Sequence, residues 1–173
     1  MKKNKKIFEE YIDKEYNKFS LTLDSKDDVV LVVLRFHLIV ENLMERIIKT
    51  KLKRGDKIIE SGHLSFNQKL QLVDAFDILD NTCIQAIKNL NTVRNKCAHD
   101  KDKTITVNDI ENIGQSLGHE YIKIKRVSTD SLNLFIKGVF LILFHKIFEL
   151  VALLEFHDVI GKDGNFKESD IAN

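Results

Sequence analysis

Residues 26–52 read KDDVVLVVLRFHLIVENLMERIIKTKL. In the second half of this stretch Phe36, Ile39, Val40, Leu43, Met44, Ile47 and Ile48 recur at steps of three and four, the period of one helix face. Arg35, Glu41, Asn42, Glu45, Arg46 and Lys49 fall on the other side. Residues 29–34 are apolar all round, which predicts deep burial of the first turns. Ser25, with Asp28 three residues on, is the expected N-cap. One helix from about residue 26 to about residue 52 follows, and an apolar face that long needs other helices to cover it.

The rest of the chain supplies them. Ile7, Phe8, Tyr11, Ile12, Tyr16 and Phe19 keep helical spacing over residues 7–19. Gly55 marks the end of the long helix, and a loop runs through Gly62. Ser65 and Gln68 form a capping box before a helix that buries Phe66, Leu70, Val73, Phe76 and Leu79. Asp80 or Asn81 caps the next helix, with Ile84, Ile87, Leu90, Val93 and Cys97 on one face. After a charged loop at 100–105, Thr106 with Asp109 caps another, carrying Val107, Ile110, Ile113, Leu117 and Tyr121. Gly114 and Gly118 weaken that helix or permit close packing. Residues 121–127, YIKIKRV, alternate and predict a short strand or extended linker. A last helix spans about 130–156; its apolar face from Phe135 to Leu154 is most simply core, and is rich enough for part of it to meet a second subunit. The fold class is therefore all-α, a single-domain antiparallel helical bundle. An N-terminal helix and linker occupy 1–24, the bundle 25–157 and a polar tail 158–173.

Composition agrees. Among 173 residues there is no proline and there are seven glycines, too few turn-formers for a β-fold. Apolar residues at 43% and charged residues at 31% describe a globular chain and exclude a disordered one. The net charge of +1 excludes a generally basic nucleic-acid coat while leaving room for local basic patches. Cys83 and Cys97 cannot build a disulfide framework, no cluster has metal-ligand spacing, and neither a metal nor a cofactor is expected. The lysine-rich start is followed by no apolar leader, and no stretch is long enough to cross a bilayer, so a cytoplasmic location without membrane contact is expected.

The stretch that carries chemistry is 91–100, NTVRNKCAHD. Arg94 and His99 stand five apart at the end of a helix, with Asn95 directly after the arginine. An imidazole titrates near neutrality and moves protons in either direction. A guanidinium presents a planar fork of donors suited to phosphate. The bland alternative is structural: Arg and His near a helix C-terminus also meet the last carbonyls and the dipole.

Residues 94–99, RNKCAH, resemble the R-polar-x-x-x-H motif of the HEPN superfamily, and the Ala-His-Asp ending is typical of its bacterial members. Over about residues 25–125 the run LRFHLIVENLMERII, LSFNQKLQLVDAFDIL and NLNTVRNKCAHD is also similar to the mannitol-repressor-like branch. The resemblance implies a HEPN-like all-α bundle that pairs into a homodimer, with the two motifs facing each other. In active members it implies metal-independent cleavage of RNA by 2′-hydroxyl transesterification, as in toxin or defence proteins. His99 would act as general base or acid, Arg94 as phosphate clamp and transition-state stabiliser, and Asn95 as a positioning group. A second copy of His99 across the dimer would supply the second acid/base. The alternative is a non-catalytic regulatory or interaction module. An antitoxin or nucleotidyltransferase-type partner belongs to the same resemblance.

RNA must also be held. Lys51, Lys53 and Arg54 lie in the basic run 49–57, and Lys96, Lys123, Lys125 and Arg126 follow; all are candidate backbone contacts, with a solvated helix end as the simpler reading of the first group. No aromatic interleaving accompanies them, so base stacking is not indicated. His37 and Glu41, four apart, read most simply as a helix-surface ion pair, and otherwise as residues orienting the motif from a neighbouring helix. Cys97 reads as a small apolar filler, and His63, His119, His145 and His157 as structural or exposed.

Overall fold

A computed structural model describes residues 2–23, 28–99, 104–127 and 131–157, the side chains of 2–4, 99 and 127 excepted. Ser25, residues 100–103, Asp130 and the tail 158–173 lie outside the described residues. Among the described residues there are eight helices and no strand. They are α1 (Lys2–Thr22), α2 (Val29–Lys51), α3 (Gly55–Glu60), α4 (Phe66–Ala75), α5 (Asn81–His99), α6 (Val107–Gln115), α7 (His119–Val127) and α8 (Leu132–Glu155). None is long and apolar enough to cross a membrane.

The centre of the bundle is α2 against α8. Phe36 stacks on Phe140 at 4.0 Å between ring centroids, and Arg46 meets Glu155 one end further on, so the two helices run in the same sense. The α1 helix runs against both. Phe19 stacks on Phe144 at 4.2 Å, while Tyr11 and Glu15 reach Glu155 and Arg46 at the other end. Arg46 is held by Glu15 at 2.6 Å and by both oxygens of Glu155 at 2.8 Å, and it also donates to the Tyr11 hydroxyl. Phe19 and Leu23 thus join the same core as α2 and α8. The α8 face from Phe135 to Ala152 is buried in the chain's own core, as its apolar spacing predicts, while Leu134, Leu141 and Leu153 point outward.

Local signals place most boundaries. Asp28 caps α2, accepting from the Val30 N–H at 3.1 Å, so the helix begins at Val29 rather than near 26. The all-round burial expected of residues 29–34 holds for Val32 and Val33, but Leu31 is exposed, because neighbours cover only the inner side of that turn. The capping boxes Ser65–Gln68 and Thr106–Asp109 are both formed. Asp80 opens α5 by accepting from the Cys83 N–H at 2.6 Å.

Four expectations are corrected by packing. Gly55 does not end α2 but opens α3 and is buried; a Cβ there would lie 2.3 Å from the Ile48 carbonyl oxygen. The segment expected to be loop is therefore partly helical. The α4 helix stops at Ala75, and Asp77 takes φ +52°, so Leu79 belongs to the connection. Gly118, at φ +69°, breaks the helix expected to run on to Tyr121. Beyond it 119–127 is helix α7, neither strand nor linker. Its inward residues are Tyr121 and Ile124, three apart, while Ile122 is exposed. Gly114 and Gly138 receive them: a Cβ would sit 2.3 Å from the Tyr121 ring and 2.5 Å from Ile124. Alternation in YIKIKRV hid this spacing.

Candidate functional site

Helix α5 carries the motif. It runs against α2 and α4, since Asn91 meets His37 and Asn67 while Lys88 faces Asp74. Arg94 and Asn95 are both half-buried near its C-terminal end, and Arg94 Nη1 donates to Asn95 Oδ1 at 3.1 Å. Among the described residues no carboxylate pairs with Arg94. Arg46 is the contrast, with two carboxylates on its fork. His99 is the last residue of α5, about 7.5 Å along the axis from Arg94; its side chain lies outside the described residues.

His37 is no surface residue. It is 4% exposed, stacked on Phe66 at 4.1 Å between centroids, with Nε2 3.0 Å from Asn91 Oδ1. Asn91 Nδ2 in turn donates to Asn67 Oδ1 at 2.9 Å, which turns the Asn91 oxygen toward the ring. Facing an acceptor, Nε2 is the protonated nitrogen. Burial holds the imidazole below its ordinary value; the bond to Asn91 opposes this, the Arg94 charge adds to the lowering, and Glu41 opposes it. The His37–Glu41 surface ion pair is therefore corrected. His37 reaches the neighbouring helix one turn before Arg94, because the wide apolar face of α2 carries it inward.

Glu41 points to α4. Lys69, 9% exposed, lies 2.6 Å from both Glu41 and Glu45. Sequence reasoning missed this cation, and also Asn67 and Asn91. A signal existed: two glutamates four apart on one helix repel unless a cation stands between them, and Lys69 sits three residues after Phe66 on the inward face of α4.

The expected RNA contacts divide between two ends of the molecule. Lys51, Lys53 and Arg54 are exposed at the end of α2, about 20 Å along that helix from His37, and so are not brought together with Arg94. Lys96 is bound to buried Asp109 at 3.2 Å, and Lys125 to Glu111 at 2.6 Å. These two pairs bring α6 and the C-terminal half of α7, with exposed Lys123 and Arg126, to the end of the bundle where α5 finishes.

Burial, aided by Asp80, pushes the Cys83 thiol up to about 12, and Cys97 packs against the core. His63, His119, His145 and His157 are exposed. Among the described residues no group of three or more His, Cys, Asp or Glu side chains is placed to hold a metal ion. Compared with family models, curated proteins and solved structures, the chain finds no match.

Proposed function

We propose that the chain is a HEPN-like endoribonuclease of the toxin or defence type, acting as a homodimer on cytoplasmic RNA. One observation carries this reading: Arg94 is a half-buried guanidinium that meets an amide and, among the described residues, no carboxylate. A cation in that position keeps donors for a phosphate, whereas Arg46 commits four of its five N–H groups to Glu15, Glu155 and Tyr11. Asn95, bonded to the same guanidinium, orients it.

In the proposed reaction His99 takes the proton from a ribose 2′-hydroxyl, and that oxygen attacks the adjacent phosphorus. Arg94 stabilises the charge gathering on the non-bridging oxygens. The bond to the 5′-oxygen breaks, and the second subunit's copy of the same histidine returns a proton to it. The products are a 2′,3′-cyclic phosphate and a 5′-hydroxyl. An antitoxin-type partner would act by covering this end of the bundle.

The test is incubation of purified protein with mixed RNA in EDTA. Cyclic-phosphate ends are expected, and both Arg94→Ala and His99→Ala should abolish them while keeping the helical circular dichroism of the parent. Intact RNA with the parent protein would overturn the ribonuclease reading in favour of a regulatory module.

A further inference from the structure

A chain of hydrogen bonds runs from the core to the surface beside Arg94. Its inner end is His37 on α2, whose ring is fixed by the stack on Phe66. His37 Nε2 donates to Asn91 Oδ1 on α5 at 3.0 Å, and Asn91 Nδ2 donates to Asn67 Oδ1 on α4 at 2.9 Å. Burial falls in the same order: His37 is buried, Asn91 half-buried and Asn67 exposed.

The chain has one direction. An amide that accepts with its oxygen has its N–H groups left to give. Asn91 commits its oxygen to His37 and so passes a donor on to Asn67. Asn67 commits its oxygen to Asn91, and among the described residues no acceptor meets its amide nitrogen. An asparagine on a helix surface ordinarily turns over and shows either end. Here the buried histidine settles which end is left for a ligand, and each bond polarises the next.

This donor stands on the Arg94 side of α5. Asn91 and Arg94 are three residues apart, so they are neighbours on one helix face, about 4.5 Å apart along the axis. From there the Arg94 charge reaches His37 and disfavours its protonated form. Glu41, the carboxylate whose charge also reaches His37, is held at 2.6 Å by Lys69. Two sets of N–H donors, one from α4 and one from α5, therefore meet on one side of α5. A base edge asks for donors and acceptors together. Donors alone fit the oxygens of a phosphodiester chain.

We infer that Asn67 is a second phosphate contact of the Arg94 site, binding an oxygen of the phosphate next along the strand, and that His37 and Asn91 are positioning residues that fix which end of its amide is offered. This rests on the ribonuclease reading above, because it names a further contact for the same substrate.

The test uses the full chain and a fluorescent ten-nucleotide 2′-fluoro RNA, which has no hydroxyl to attack, with binding read by anisotropy. Asn67→Asp keeps the oxygen that accepts from Asn91 and puts a second oxygen where the donor was. It should keep the parent's urea midpoint and bind RNA about tenfold more weakly. Asn67→Ala removes the donor without adding a charge and should bind about fivefold more weakly. Asn17→Asp makes the same charge change on the exposed side of α1 and should bind as the parent does. Nitrogen NMR shifts should place the His37 proton on Nε2. A proton on Nδ1, parent-like binding by either Asn67 variant, or an equal loss in Asn17→Asp overturns the contact; if Arg94→Ala still abolishes cleavage, the ribonuclease reading stands. If the parent binds RNA without cutting it and both Asn67 variants bind more weakly, the contact stands and the ribonuclease reading falls. A parent chain that neither binds nor cuts RNA sinks both.

Discussion

Replacing Lys69 by methionine removes the cation that joins α4 to α2 and leaves Glu41 and Glu45 facing each other one turn apart. Each ion pair, at 2.6 Å, has a gross attraction of about 6 kcal/mol at an effective dielectric near 20. Most of that is offset by the desolvation of Lys69, whose side chain is 11% exposed. What decides the cost is the state left behind. Breaking a fully buried pair costs about 3–5 kcal/mol. Here the two carboxylates keep 23% and 24% of their side-chain surface, so water relieves part of the penalty and about 2–3 kcal/mol is expected. For a chain of this length that lowers Tm by about 5–10 °C. Urea unfolding followed at 222 nm measures the free energy directly. A second variant isolates the cause. Adding Glu41→Gln and Glu45→Gln to Lys69→Met removes the unpaired charges and should restore at least half of the loss. A loss below about 0.5 kcal/mol in the single variant, or no recovery in the triple, would refute the assignment of this cluster as the α2–α4 pin.

Gly114→Ala tests the α6–α7 contact. Alanine favours the helix by about 1 kcal/mol, but its Cβ would lie 2.3 Å from the buried Tyr121 ring, so a net destabilisation of about 1–2 kcal/mol is expected by urea titration; a more stable variant would disprove the close approach. His37 gives a pH prediction. Its folded value lies below the ordinary 6.5 because burial disfavours the charged ring, so the unfolded chain takes up the proton first. Stability is fully present above that value and falls as pH drops through it toward the folded value. His37→Phe keeps the stacking on Phe66 and should flatten that segment of the stability–pH curve, comparing urea midpoints at pH 7.5 and pH 5; an unchanged slope counts against a neutral buried imidazole.

Much of the fold was written locally. Steps of three and four in 29–51 and 132–155 specify helices wherever they pack, because an apolar stripe at that period has no other way to be covered. Ser65 with Gln68 and Thr106 with Asp109 set two starts by satisfying N–H groups within three residues. Helix α7 was not legible, because its burial depends on glycines at 114 and 138, one of them on α8 and far along the chain. The candidate site divides in the same way. Arg94, Asn95 and His99 could be picked out by spacing, since they share one helix. The residues that surround them could not.

Sequence alone determined that the chain is a set of amphipathic helices and that a cation, an amide and an imidazole gather at the end of one of them. Those properties arise within a few residues of each position, where periodicity and capping operate. Tertiary structure decided that His37 turns inward to Asn91, that Lys69 answers two glutamates, that Lys51 to Arg54 stand at the far end of α2, and that Arg46 is clamped by carboxylates while Arg94 meets an amide. These facts depend on which helices meet and in which direction they run. The free energy that selects those pairings comes from apolar burial across the whole core, so the partner of any single polar group emerges only when the chain has closed on itself.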